Sequence, residues 1–292
     1  MPASPFELEG LVAVITARLP HLRAARFTLR SAGWDSVAVD VDDRLIFKFP
    51  RHAEGEAGLR LEASILQLVR RHVSLRVPVL TLHETPLLFS QHDKIPGEHL
   101  LTTHYERLDD TDRRDLADQM GRFYTDLHGI PIAAARAAGA GPMDVWPDAD
   151  TILKQAWPVL PVELRAFAEA LMARWSVLTP DPLGERYGFF DGHGWNMAFD
   201  HGRRRLNGIY DFGDSGIGTM HRDFVYSSLV SPDLSERIMS AYERCTGRSI
   251  DRERVKVLTG THRLLEVAGE AHLPDNLPSL VQSLARWAAF AG

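Results

Sequence analysis

Apolar positions recur at every second residue in short runs and at every third or fourth in longer ones, which predicts interleaved strands and helices over the first hundred residues. Residues 6–19 predict a short amphipathic helix closed by Pro20, and residues 26–30 and 36–41 predict strands rich in β-branched and aromatic side chains. Between these strands lies Ser31-Ala-Gly-Trp-Asp-Ser36, a turn whose Gly33 permits close backbone approach. A third strand, residues 44–49, stops at Pro50, and residues 54–71 then carry Leu61, Ile65, Leu68 and Val69 at helical spacing. Two further strand-like runs, 77–82 and 86–90, lead to Asp93-Lys-Ile-Pro-Gly-Glu98, a Pro/Gly break expected to be a crossover between two lobes.

Beyond it the helical period dominates. Residues 112–128 place Leu116, Met120, Phe123, Tyr124 and Leu127 on one broad face, with Gly129 and Pro131 just past the end. Residues 133–141, rich in Ala and Gly, read as a loose connector, and 162–178 as another helix. The C-terminal third, 223–246 with a break at Pro232 and 251–290 with breaks near Pro274 and Pro278, reads as helical. A short β-like island, residues 186–212, interrupts the helices. The expectation is an α+β protein of two lobes: residues 1–93, β-rich with one main helix, and residues 94–292, mostly helical. No internal repeat or low-complexity tract is evident.

Composition narrows the classes. The 292 residues suit one large domain or two lobes, and 45% hydrophobic residues suffice for a packed core. No run approaches the roughly 20 apolar residues of a membrane span. The N-terminal Met-Pro-Ala-Ser-Pro-Phe-Glu-Leu-Glu-Gly stretch lacks a basic-then-apolar leader. With a single cysteine, Cys245, no internal disulfide is available. These features point to the cytoplasm, with no membrane partner; a monomer or homodimer is expected, although no residue pattern sets the oligomeric state. The net charge is −6, and residues 1–93 balance 11 basic against 11 acidic side chains, so the acidic excess lies wholly in 94–292. That argues against nucleic acid as a partner. It suits either a cationic substrate or a solvated acidic surface.

The island concentrates the unusual polar residues. It reads Tyr187-Gly-Phe-Phe-Asp191-Gly-His-Gly-Trp-Asn196, then a hairpin whose second strand ends at Asp211-Phe-Gly-Asp214. Phosphoryl transfer needs one carboxylate to orient the attacking hydroxyl and hard oxygen ligands to hold Mg²⁺ against phosphates. Asp191 suits the first task. Asn196 and Asp211, returned to one edge by the hairpin, suit the second.

The order of these residues resembles the aminoglycoside phosphotransferase and choline kinase group, a branch of the protein-kinase-like fold. That group's loop is usually written His-Gly-Asp-x-His-x-x-Asn, followed after a hairpin by Ile-Asp-(Trp/Phe)-(Glu/Gly). The resemblance places the catalytic Asp at Asp191, the loop His at His193 among the cofactor-binding residues, and the metal ligands at Asn196 and Asp211. It makes residues 1–93 a nucleotide-binding lobe, with Gly33 and Ser36 in the phosphate loop, Lys48 on the α/β-phosphates and Glu62 pairing Lys48. It makes residues 94–292 the lobe of the catalytic loop, the metal and the acceptor. Gly218 and Arg222-Asp-Phe224 match a stretch in which Asp223 is structural, and Leu127-His128 matches a helix end where His128 is a structural hydrogen-bonder. Asp214 is expected in a turn or cap, with a place near the metal or the substrate as the alternative. Two departures stand out: Phe189-Phe190 replaces His-Gly, and Gly194-Trp195 replaces Pro-Gly.

The implied activity is transfer from ATP, or GTP, with Mg²⁺, to a hydroxyl of a small molecule: an aminoglycoside-like antibiotic, an amino-alcohol or a sugar metabolite. Asp148, Asp150, Trp146 and Trp157 are candidates for meeting it, or else helix caps and core aromatics. Two rivals remain. Phe189 and Phe190 motivate a catalytically impaired nucleotide-binding sensor on the same fold. His193, His201 and His221, near Asp191 and Asp211, raise a zinc hydrolase, though without tight ligand spacing. No Gly-x-Ser-x-Gly elbow supports a serine nucleophile. Arg203-Arg-Arg205 falls at an expected hairpin tip.

Overall fold

The computed structural model describes residues 6–30, 35–273 and 275–291. Helix α1 (Leu8–Arg18) turns Leu11 and Ile15 onto an antiparallel sheet. That sheet is built from β1 (Phe27–Arg30), β2 (Ser36–Val41), β3 (Leu45–Pro50), then, after helix α2 (Ala53–Val69), β4 (Thr81–His83) and β5 (Phe89–Asp93), in the order β1-β2-β3-β5-β4. Strand alternation decides which face is which. Val37, Val39, Phe47, Phe49 and Phe89 point to α1 and form one core, with Phe49 stacked on Phe89 at 5.0 Å between ring centroids. The intervening residues face the other way. Lys48, opposite Ala38 on one neighbour and Ser90 on the other, is one of them.

Helix α2 begins where the His52 ring accepts a hydrogen bond from Gly55 N at 3.1 Å. Its Ile65, Leu66 and Val69 do not join the α1 core. They pack with Phe123, Leu127, Phe189 and Phe212 of the second half, so this helix belongs mechanically to both.

The second half opens with the short α3 (Thr102–Tyr105) and the long α4 (Asp110–His128), capped by Asp109, which accepts from Asp112 N at 2.9 Å. It continues through α5 (Ile132–Ala137), α6 (Ala149–Ala156), α7 (Val162–Ser176), β6 (Glu185–Gly188), β7 (Met197–Asp200), β8 (Arg205–Ile209), β9 (Gly216–Thr219), α8 (Pro232–Thr246), α9 (Arg252–Gly269) and α10 (Leu277–Ala291). The apolar face of α4 lies against Leu234, Ile238, Met239 and Tyr242 of α8. A separate core joins α6, α7, α9 and α10 through Ile152, Ala168, Leu171, Leu264 and Leu284. No helix among the described residues is long and apolar enough to cross a membrane.

Several expectations need correction. Residues 133–141 are not a loose connector: Ile132-Ala-Ala-Ala drives α5, because Ala is the strongest helix former, and Gly139 at φ 102° ends the turn that follows. The strand expected at 77–82 shrinks to Thr81–His83, since Pro78 cannot donate to a ladder. The strand expected at 86–90 lies later, at Phe89–Asp93. The island holds the expected hairpin, β7 paired with β8, while its first strand, β6, pairs with β9, a strand beyond the island's expected end. Residues 220–229 form 3₁₀ turns, and α8 begins only at Pro232 with Ser231 as its cap.

Gly121 sits where α4 touches α8; a Cβ there falls 2.6 Å from the Ala241 Cβ and 2.9 Å from Tyr242 N. Intrinsic propensity favours Ala over Gly by about 1 kcal/mol in a helix. Overpacking at a contact this close costs roughly 1–3 kcal/mol. Gly121→Ala is therefore expected to lower the thermal midpoint despite the better helix former, and an unchanged or raised midpoint in a melt would refute the close-packing account.

Candidate active site

The inward face of β3 delivers Lys48 into a cluster of carboxylates. Its ammonium lies 3.4 Å from both oxygens of Glu62 on α2 and 3.0 Å from Asp211 Oδ1, just past β8. Glu62 is buried, and an inward carboxylate needs compensation. It has two partners, because Glu62 Oε1 also accepts from Phe212 N at 3.1 Å. Burial opposes the Lys48 charge, but Glu62 and Asp211 outweigh it and lift the ammonium above its ordinary range. Lys48 in turn holds the Asp211 carboxyl below its ordinary range, although about half of the Asp211 side chain is exposed.

The loop after β6 is anchored from below. Asp223, fully buried, accepts from Phe189 N at 3.0 Å, from Phe190 N at 2.6 Å and from His128 Nε2 at 3.1 Å. His128 also contacts the Tyr242 hydroxyl at 3.2 Å, tying the end of α4 to α8. These bonds hold Phe190 at φ 54°, a left-handed conformation costing about 1–3 kcal/mol for a bulky residue. The strain aims the next side chain, Asp191, out of the core. Phe189 packs at 4.8 Å from the Phe212 ring and edge-on to Phe123. The two aromatic residues thus replace side-chain polarity with core packing, while the polar support passes through their backbone N–H groups.

Asp191 is held at both oxygens. Asn196 Nδ2 donates to its Oδ2 at 2.5 Å, and His193 Nε2 lies 3.0 Å from its Oδ1. Burial lowers the affinity of His193 for a proton, but the Asp191 hydrogen bond reverses this and moves its pKa upward. Donation by Asn196 Nδ2 turns the amide so that Oδ1 remains as an acceptor. Gly192 passes so close to Tyr124 that a side chain would strike the Tyr124 hydroxyl, which is itself buried without a hydrogen-bond partner among the described residues.

The two clusters feel one another. Asp214 is pushed up to about 6 by withdrawal from water and by Asp191, Asp211, Asp35 and Glu62. His92, on the Lys48 face of β5, is pushed down to about 3 by burial and by the Lys48 charge, so it is neutral at pH 7. Of the residues singled out in the sequence, Lys48, Glu62 and Asp211 converge directly, as do Asp191, His193 and Asn196. Ser36 lies on the Lys48 face of β2, but among the described residues its hydroxyl makes no hydrogen bond. Gly33 lies outside the described residues. Asp148 is the cap of α6, accepting from Thr151 N at 2.9 Å.

The histidines of the zinc alternative diverge. His221 is buried against Asp181 at 2.8 Å, and His201 packs edge-on to His104. Among the described residues no group of three or more His, Cys, Asp or Glu is placed to hold a metal. His92 and Tyr210 were not foreseen as cleft residues. Alternation along β5 was the available signal for His92, and the position before Asp211 was the signal for Tyr210.

A five-stranded sheet over a helical half, with a lysine–glutamate pair facing an Asp/Asn loop, defines a kinase-like architecture. The phosphotransferase enzyme family model matches residues 26–258, and the chain belongs to that family. Three solved structures illustrate the likeness of fold. The GDP complex of wild-type aminoglycoside 2'-phosphotransferase-IIIa is 20% identical, covers 97% of this chain and 98% of its own, and superposes with a TM-score of 0.79. A GDP and kanamycin complex, APH(2")-IIia, is also 20% identical, with 97% and 99% covered and a TM-score of 0.78. The apoenzyme of macrolide 2'-phosphotransferase MphH from Brachybacterium faecium is 16% identical, with 94% and 98% covered and a TM-score of 0.69.

Asp214 supplies a test of the acidic cluster. Its folded-state pKa, about 6, lies above the 3.8 of an unperturbed Asp, so ionising it disfavours the fold. The penalty is absent below pH 4, grows as pH rises through 6 and persists above. Asp214→Asn is expected to raise the thermal midpoint at pH 7.5, with a gain that shrinks toward pH 4. A gain independent of pH would contradict the charge account.

Proposed function

We propose that the protein transfers the γ-phosphoryl group of ATP, or of GTP, to a hydroxyl of a small molecule, with residues 1–93 as the nucleotide lobe and 94–292 as the catalytic and acceptor lobe. The observation that carries this reading is the Lys48 ammonium bridging Glu62 and Asp211 at the mouth of a cleft whose floor holds Asp191 and Asn196. The bound nucleotides of the structural neighbours, GDP among them, support keeping both donors open.

Lys48 is the cation placed for the α/β-phosphates, and Glu62 keeps it extended. The phosphate loop expected from the sequence, with Gly33 and Ser36, is the segment proposed to cover them; of these, Ser36 lies on the Lys48 face of β2. For Mg²⁺, the donor chemistry fits: Asp211 brings a carboxylate held ionised, Asn196 retains its amide oxygen, and the surrounding acids push Asp214 upward for want of positive charge. Magnesium held by Asn196 and Asp211 supplies neutralisation of charge on the phosphates.

Asp191 orients the acceptor hydroxyl for in-line attack. As the new O–P bond forms and the bond from the γ-phosphorus to the bridging oxygen breaks, the hydroxyl proton passes to the Asp191 carboxylate and the nucleoside diphosphate leaves. His193 and Asn196 fix both oxygens of Asp191, and the strained turn at Phe190 fixes its backbone. Catalysis is then positioning and charge compensation. The excess acidity of residues 94–292, together with the aminoglycosides named in the neighbours' complexes, supports a cationic hydroxylated acceptor such as an aminoglycoside-like antibiotic, with an amino-alcohol or sugar metabolite as the alternative.

Asp191→Asn is expected to lower phosphoryl transfer by about 10²–10⁴-fold while nucleotide affinity survives, measured by coupled turnover over an acceptor panel and by calorimetry. Near-wild-type turnover in this variant removes Asp191 from its role. A wild-type protein that binds nucleotide yet turns over no acceptor favours the sensor reading instead. Asp211→Ala is expected to abolish the Mg²⁺-dependent part of nucleotide binding, read by titration with and without the metal; an unchanged Mg²⁺ dependence takes Asp211 out of the metal site.

A further inference from the structure

Tyr124, on α4, carries a hydroxyl that the reaction described above does not use. Its side chain is fully buried, and its Oη has no hydrogen-bond partner among the described residues. A buried hydroxyl left unpaired costs stability, so its presence calls for a reason other than stability.

That reason lies directly above it. A Cβ built on Gly192, the residue after Asp191, would fall 2.0 Å from Tyr124 Oη and 3.3 Å from Cζ, with Phe189 next at 3.8 Å. Gly192 is not among the glycines with positive φ, so no left-handed conformation is asked of it. What it supplies is space, and the Tyr124 hydroxyl fills that space.

The ring is held where it stands. Phe224 lies 5.4 Å and Phe123 5.7 Å from it between ring centroids, and His128, one turn further along α4, lies at 6.0 Å. His128 is in turn tied to Asp223 and to the Tyr242 hydroxyl. Tyr124 is therefore a post rising from the α4–α8 seam to the turn that carries Asp191. It is close enough to feel that carboxylate: burial, then Asp223 and Asp191, raises its pKa well above the ordinary range, so it stays protonated.

The other supports of the turn grip residues on either side of Gly192. Asp223 accepts from Phe189 N and Phe190 N before it, while His193 N and Asn196 Nδ2 donate to Asp191 O at 2.8 Å and 3.1 Å from beyond it. Tyr124 is what meets Gly192 itself.

We propose that Tyr124 is a positioning residue for Asp191: its hydroxyl props the turn at Gly192 and sets how far the Asp191 carboxylate stands above the floor of the cleft. The inference rests on the phosphoryl-transfer reading above and deepens it.

Turnover of MgATP and MgGTP over the acceptor panel, kanamycin included, and thermal melts are compared in the wild type, Tyr124→Phe, Gly192→Ala and the double variant. Tyr124→Phe is expected to lower kcat by about 10–10²-fold, the scale of an ångström-sized misplacement, with the KM values for nucleotide and acceptor held. Its thermal midpoint is expected to hold or rise, because no partner loses a hydrogen bond. Gly192→Ala is expected to lose kcat and thermal midpoint together, its methyl striking the Tyr124 hydroxyl. In the double variant that methyl takes the place the oxygen leaves, 3.3 Å from Cζ, and both quantities are expected to recover well beyond the sum of the single losses. Unchanged kcat or a lowered thermal midpoint in Tyr124→Phe, a loss that appears only in KM, or additive losses in the double variant overturns the prop. Should Gly192→Ala alone fail to fold, a folded and active double variant carries the coupling, and an unfolded one refutes it. A wild type that turns over no acceptor brings down the transfer reading itself, whereas an active wild type with indifferent variants brings down only the role of Tyr124.

Discussion

One ammonium joins three pieces of chain that are far apart in sequence. Lys48 comes from the sheet, Glu62 from α2 and Asp211 from the end of the β7–β8 hairpin, and Glu62 reaches on to the backbone of Phe212. The arrangement depends on strand register. Because side chains alternate, a slip of one residue between β2 and β3 would send Lys48 into the α1 core and bring Phe47 or Phe49 into the cleft. That core forbids it: Val37, Val39, Phe47, Phe49 and Phe89 bury together on the far side. The position of the charge is thus enforced by the packing of residues it never touches.

The floor of the cleft has its own anchor, of a different kind. Asp223 is a fully buried carboxylate with no lysine or arginine among its hydrogen-bond partners in the described residues; two backbone N–H groups and His128 compensate it. Removing one partner of such a group leaves others unsatisfied at about 1–3 kcal/mol each. This supports the strained Phe190 turn, and the strain is what projects Asp191 while its neighbours Phe189 and Phe190 stay in the core. Roof and floor are set independently, the first by an ion pair and a sheet register, the second by buried hydrogen bonds at the α4–α8 seam. Helix α2 connects them, since its apolar stripe packs beside Phe189 and Phe212 while its Glu62 faces Lys48.

Much of this was legible in the sequence, for local reasons. The period-2 runs of β2 and β3 and the stripe of α4 each reflect a single element's own amphipathicity, and the proline breaks at Pro232 and near Pro274 and Pro278 reflect local backbone chemistry. The Lys48–Glu62 pair was legible only through the family resemblance, since a strand Lys and a helix Glu taken alone read equally well as surface residues. What escaped was non-local. The pairing of β6 with β9 joins segments that no short-range pattern links, and nothing in the stretch around Tyr210 announces that its hydroxyl will orient both Trp195 O and His99. The α5 helix was misread for a local reason, the weight given to Gly139 and Gly141 over the alanines before them. Phe189-Phe190 looked like damage to a polar motif because a sequence displays side chains, whereas the hydrogen bonds that matter there come from the backbone.

Charge is the remaining constraint. Glu62 and Asp211 share the Lys48 ammonium, and Asp214 is pushed up by burial and by the negative charges of Asp191, Asp211, Asp35 and Glu62. A cleft so balanced repels a bare polyphosphate, and Lys48 is already shared by two carboxylates. In the reading proposed here, the polyphosphate enters only together with divalent charge, so the metal is a condition of nucleotide binding as well as an aid to transfer. The same excess of negative charge favours a cationic acceptor from the opposite side. Beyond Phe190, by contrast, Arg222 lies over the Trp146 ring and donates to Asp144 O at 2.6 Å, a cation already engaged by its neighbours. Acceptor charge would therefore be read close to Asp191, where the carboxylates are, and acceptor shape farther out, where the wall is aromatic.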